Sequence, residues 1–150
     1  MPWDAVFAYL HLLAAGVSAA LKVAEHWLLA RPPDRLQVRL LGQARLGYLL
    51  AITTVLATGL VRLQGMGGSP VLASGSSLFA VKIALYVLLL LLAVPTTGTI
   101  VRWNREAHSP PAFAPRLREL EALRATVSLE IGLLALVPLP AVMLARGAGF

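Results

Sequence analysis

Four long runs fix what this chain can fold into: about Ala5–Ala30, Leu46–Leu63 and Leu78–Val101, all apolar, and Leu117–Ala145. The first two turns of the last (to Arg124, with Glu119 and Glu121) are polar and expected at the interface, before it runs apolar to Ala145. A bilayer's hydrocarbon core, ~30 Å thick, is crossed by about 20 helical residues at ~1.5 Å rise each. The hydrocarbon offers no water to an open backbone, so each run is expected as a helix with its hydrogen bonds closed internally. The expected fold is an all-α integral membrane protein, a single domain with four transmembrane helices in an up-down-up-down bundle. Composition agrees, since 58% hydrophobic and 13% charged residues in a chain of 150 leave too little polar surface for a soluble domain.

The breaks between runs are readable. Arg31-Pro32-Pro33-Asp34 ends the first helix and makes a turn, and a short amphipathic piece follows over Leu36–Gln43. Gln64–Ser77 is an uncharged Gly/Ser-rich loop, and Glu106–Pro115 is a stiff Pro-containing connector. Pro95 falls near the end of the third run, where a kink or early end is expected, with Thr96, Thr97 and Thr99 able to re-satisfy freed carbonyls. Pro138 and Pro140 are expected to bend the last helix.

A net charge of +6 could suggest nucleic acid, but the basic residues cluster at the ends of the apolar runs, so no nucleic-acid partner is expected. Arg31, Arg35, Arg39 and Arg45 follow the first run, and Arg102, Arg105, Arg116, Arg118 and Arg124 follow the third. The other side has only Arg62, Lys82 and Arg146. The positive-inside rule then puts both Arg-rich loops in the cytoplasm and both termini on the outer side of a bacterial inner membrane. Trp3 is expected in the outer aromatic belt, and Trp27 and Trp103 in the inner one. Met1-Pro2-Trp3-Asp4 has no basic n-region, so no cleavable signal peptide is expected. With no cysteine there can be no disulfide, thiolate metal site, iron–sulfur cluster or covalent c-type haem.

The first helix carries the polar residues that need an explanation. Steps of three or four from His11 reach Ala15, Ser18, Lys22 and Glu25, one helix face. An intramembrane charge costs at least about 2.5 kcal/mol, so this face should look at other helices and not at lipid. An inner layer of Lys22, Glu25, Arg45, Arg124 and Glu130 is expected as an intramembrane ion-pair network. It serves either as a lock on helix packing or as a proton or anion pathway. An outer layer gathers His11, Lys82 and Arg62, with Tyr86 one turn below Lys82. His26 and His108 are expected at the interface and in a loop.

His11 has two readings: a hydrogen-bonded packing histidine, or an axial ligand of haem b iron in the manner of four-helix membrane bundles. His26 is about 22 Å away along the same helix, too far to share one iron with it. A second ligand would have to be Met143, Lys82, an open position or a histidine of another subunit, and Lys82 could instead meet a propionate. Hydrolase, phosphate-loop and metalloprotease signatures are missing.

Several segments taken together resemble a known family: His11 with Glu25, ATGLVRL at Ala57–Leu63, FAVK at Phe79–Lys82, PTTGTIVRW at Pro95–Trp103 and MLARGAG at Met143–Gly149. The family consists of bacterial predicted four-helix membrane proteins with a domain of unknown function, and the resemblance spans nearly the whole chain. Arg45 departs from its pattern, which has an acidic residue ahead of the Tyr48 region. In layout the chain is more distantly similar to HemJ-type protoporphyrinogen oxidases, a resemblance that implies His11 and Lys82 as a functional pair. The Leu-Pro-Arg segment of that family is absent here.

The leading functional expectation is a haem b- or porphyrin-associated redox membrane protein using His11, with Lys82 and Arg62 as anion partners. The rival is a non-catalytic accessory subunit of a larger respiratory or photosynthetic membrane complex. A small transporter working as an oligomer is the third. The bilayer is the partner common to all three, and a homo-oligomer is compatible with each.

Overall fold

The computed structural model describes the backbone at 2–65, 77–108 and 113–145, and side chains there except at 2, 62–65, 77–79, 141, 144 and 145. Among the described residues five helices follow one another: α1 Pro2–Leu28, α2 Arg35–Gly65, α3 Ser77–Glu106, α4 Leu117–Leu136 and α5 Pro138–Ala145. Four segments are long and apolar enough to span a bilayer: Trp3–Leu28, Arg35–Val61, Ala80–Glu106 and Leu117–Pro140. No strand occurs among the described residues.

The second helix begins at Arg35 and absorbs the amphipathic piece that sequence periodicity separates from it. A reciprocal cap explains the early start. Gln37 N donates to Asp34 Oδ1 at 2.8 Å, while Asp34 N donates to Gln37 Oε1 at 3.0 Å. Two donors that the first helical turn leaves open are thereby satisfied, so the helix nucleates at the turn itself.

The third helix runs through Pro95 without ending. Thr96 Oγ1 donates back to the carbonyls of Leu92 (2.9 Å) and Ala93 (3.0 Å), and Thr99 Oγ1 to that of Pro95 (3.1 Å). Thr97 does not join them, and its buried hydroxyl has no hydrogen-bond partner among the described residues. The last run is divided at Val137, where Pro138 takes the first position of α5. A proline fits there because that position needs no N–H donor. Most of the expected Gln64–Ser77 loop, and Arg146 with the end of the MLARGAG segment, lie outside the described residues.

Helices α1 and α2 make the most extensive pairing. His11 lies beside Gly59, Leu21 beside Gly47 and Glu25 beside Arg45, so the two helices run in opposite directions. Gly47 allows the approach, because a Cβ there would stand 3.0 Å from Leu21 Cδ1. One apolar cluster gathers Leu29, Val38, Leu41, Ile100, Trp103, Leu120, Leu123 and Val127 at the Arg-rich end. A second gathers Ala14, Tyr48, Ile52, Val55, Tyr86, Leu89 and Leu133 along the rest of the bundle. Trp3 and Trp27 are exposed, as membrane-belt residues are, but Trp103 is fully buried inside the first cluster. Its indole N–H has a partner within the protein, so it does not need the interface (Nε1 to Glu119 Oε2, 3.1 Å).

Candidate functional site

The polar face of α1 does turn inward, with Ser18 2% exposed and Lys22 and Glu25 both at 0%. Ser18 satisfies itself by donating to the Ala15 carbonyl at 2.8 Å. Lys22 and Glu25 reach further. Lys22 Nζ lies 2.9 Å from Glu25 Oε2 and 2.5 Å from Glu130 Oε2 of α4. Arg45 of α2 closes the circuit, its Nη2 at 2.8 Å from Glu25 Oε2 and its Nη1 at 3.4 Å from Glu130 Oε1. The result is a ring of alternating charge, two cations and two carboxylates, held by three helices.

Such a ring has no net charge, and its members are at most 2% exposed, so no charge faces lipid. Two buried cations facing two buried carboxylates offset much of the desolvation that each would suffer alone. The ring ties α1, α2 and α4 together at one level of the bundle. Its hydrogen bonding is incomplete on one side. Glu25 Oε1, Arg45 Nε and Arg45 Nη2 have no hydrogen-bond partner, since Nη2 contacts Glu25 by charge without aligning an N–H on it.

Tyr48, three residues after Arg45, was not legible as a member of this group beforehand. Its ring lies under the ammonium of Lys22, 3.8 Å from Nζ to the centroid, with Arg45 Cζ at 5.7 Å. The hydroxyl is buried without a partner, so the ring face is what Tyr48 contributes. Tyr48→Phe should therefore be neutral or stabilising, whereas Tyr48→Leu should lose about 1–2 kcal/mol of desolvated cation–π attraction. Unfolding midpoints of the two variants in one detergent check this difference.

Arg124, expected in the network, does other work. Its Nε donates to the carbonyl of Leu29 at 2.5 Å, satisfying an acceptor left open just past the end of α1. Nearby, Glu119 Oε2 accepts from both Arg102 Nη2 (2.7 Å) and Trp103 Nε1 (3.1 Å). His26 is exposed, with Nδ1 at 3.4 Å from Ser128 Oγ, and His108 is exposed with Nδ1 at 2.6 Å from the Asn104 carbonyl oxygen.

At the opposite end, His11 is partly buried against α2, its Nδ1 3.0 Å from Thr58 Oγ1. The Thr58 hydroxyl proton is already committed to the carbonyls of Thr54 (2.7 Å) and Val55 (3.1 Å). Thr58 can therefore accept a hydrogen bond from His11 Nδ1–H. Lys82 is partly buried near the start of α3, Tyr86 is buried one turn on, and Met143 is 41% exposed on α5. Arg62 lies in α2, its side chain outside the described residues. No group of three His, Cys, Asp or Glu is placed to hold a metal ion among the described residues.

None of the curated proteins and none of the solved structures matches this chain. A family model described as "Predicted membrane protein (DUF2214)" matches residues 3–149. With its four membrane-length helices and a match over nearly its whole length, the chain belongs to the DUF2214 family of membrane proteins.

Proposed function

We propose that the protein is a haem b- or porphyrin-associated redox protein of a bacterial inner membrane, with His11 as the iron ligand. One observation carries the reading. His11 Nδ1 lies 3.0 Å from Thr58 Oγ1, whose own proton has backbone acceptors, and this favours Nδ1–H with the lone pair on Nε2, the arrangement that metal-ligating histidines use. Gly59 adds to the support, because a Cβ there would stand 3.5 Å from His11 Cε1, so the ring sits close against the α2 backbone. A bound haem would supply one-electron exchange within the membrane. Thr58 holds the imidazole plane, and Lys82 and Arg62 are the cations for propionate carboxylates. Met143 is the candidate second ligand from the same chain.

In this reading the bundle is up-down-up-down, with both termini outside and the Arg-rich loops in the cytoplasm. The charge distribution supports that orientation. The test is a reduced-minus-oxidised absorption spectrum of protein purified gently from native membranes. A b-type spectrum lost in His11→Ala, but partly regained by His11→Gly with added imidazole, is the expected result. Colourless, folded protein arriving with stoichiometric partner subunits would overturn it in favour of an accessory subunit of a larger complex.

A further inference from the structure

Between α2 and α3 lies a cleft of about 400 Å³ near the Arg-rich end. Its polar floor is unusual for a helix seam in hydrocarbon. Arg45, Thr97 and Asn104 all line it, and each has a buried polar atom with no hydrogen-bond or ion-pair partner among the described residues: Arg45 Nε, Thr97 Oγ1 and Asn104 Oδ1. A buried polar atom left unmade costs roughly 1–3 kcal/mol, so orphans concentrated on one cavity point to a ligand that satisfies them.

We propose that this cleft binds a phosphate ester, namely the headgroup of an anionic phospholipid that also carries a hydroxyl, as phosphatidylglycerol does. Nε of the Arg45 guanidinium is left without an acceptor and can donate to one phosphate oxygen. Nη1 and Nη2 stay on the carboxylates of Glu130 and Glu25, so binding does not require the charge ring to open. Thr97 supplies a hydroxyl donor, and Asn104 Oδ1 accepts from a headgroup hydroxyl. Arg39 adds positive charge to the same cleft, making its net charge favour an anion.

The remaining walls suit a lipid. Leu46 and Val101 line the cleft and are 61% and 44% exposed, so they continue the floor outward to where acyl chains lie. The level also fits. Arg39 is four residues into α2 and Asn104 two residues before the end of α3, so one end of the cleft lies near the ends of both membrane-length helices, where lipid phosphates sit.

The test uses full-length protein in mild detergent, depleted of lipid, with thermal unfolding followed against added ligand. Phosphatidylglycerol at about a hundredfold excess over its Kd should raise the midpoint by about 5 °C, and phosphatidylcholine should not. Thr97→Val should raise the Kd about fivefold through loss of one hydrogen bond, which cuts the midpoint shift at the same lipid concentration by about a third. Val101→Trp, which fills the cleft from its exposed wall, should abolish the response, and each variant's lipid-free midpoint checks its fold. An equal shift with glycerol 3-phosphate would support the site while assigning its phosphate to a soluble ester. Equal responses to phosphatidylglycerol and phosphatidylcholine, or a full response in Thr97→Val, would overturn the site.

Discussion

Glu130→Leu is expected to destabilise the bundle by about 3–5 kcal/mol, because it leaves the ring with Lys22 and Arg45 facing Glu25 alone. All four side chains are buried, so the surplus cation cannot be solvated in place. Lys22→Met should cost a similar amount by the opposite imbalance, leaving two carboxylates against Arg45. The double variant Lys22→Met, Glu130→Leu restores neutrality, with Arg45 and Glu25 paired at 2.8 Å. It should recover most of the loss, since a buried pair replaced by apolar groups of similar size is close to neutral. Reversible unfolding of the two singles and the double in one detergent gives the coupling between them. Additive losses would mean that the charges act separately and that the ring is not a unit.

Much of this bundle was legible because a bilayer leaves so few options. Membrane-length apolar runs have to be helices, and the period of three to four that unites Ser18, Lys22 and Glu25 marks the face that turns inward. Partner choice was less legible. Glu130 could have been matched to Arg45 or Arg124 by depth alone, and it meets Arg45 and Lys22. Depth is a coordinate along the helix, whereas partnership also depends on rotation about it, which packing sets. Arg124 shows the consequence, since it lies on a side of α4 that reaches the end of α1. Tyr48 was missed for a related reason, and Thr97, expected to serve carbonyls freed by Pro95, has a different setting. An aromatic ring in an apolar helix reads as packing, and a threonine after a proline as a backbone partner, until a neighbouring helix puts an ammonium over one and a cleft beside the other. The early start of α2 could have been found, because Asp34 and Gln37 have the spacing of a reciprocal cap.

Trp103→Ala should be the most damaging single truncation in the apolar core, costing about 3–5 kcal/mol. The side chain is fully buried where α3 meets α4 and the segment before it, its ring edge-on to Phe113 with centroids 6.1 Å apart. Around it stand Leu29, Val38, Leu41, Ile100, Leu120, Leu123 and Val127, contributed by the end of α1 and by α2, α3 and α4. An indole-sized void there cannot be closed by one helix shifting, because each neighbour is tied elsewhere. Arg124 holds the Leu29 carbonyl, and the charge ring holds α1, α2 and α4 together. Lipid chains are also excluded from a position with no exposed surface, so the cavity cost should resemble that of a soluble core. Trp103→Phe separates packing from polarity. It keeps most of the volume, releases Glu119 from the indole N–H and leaves Arg102 as its 2.7 Å partner. Its loss should be a small part of the alanine variant's, measured as unfolding midpoints side by side. Equal losses would show that the indole hydrogen bond, and not the filled volume, holds this end of the bundle.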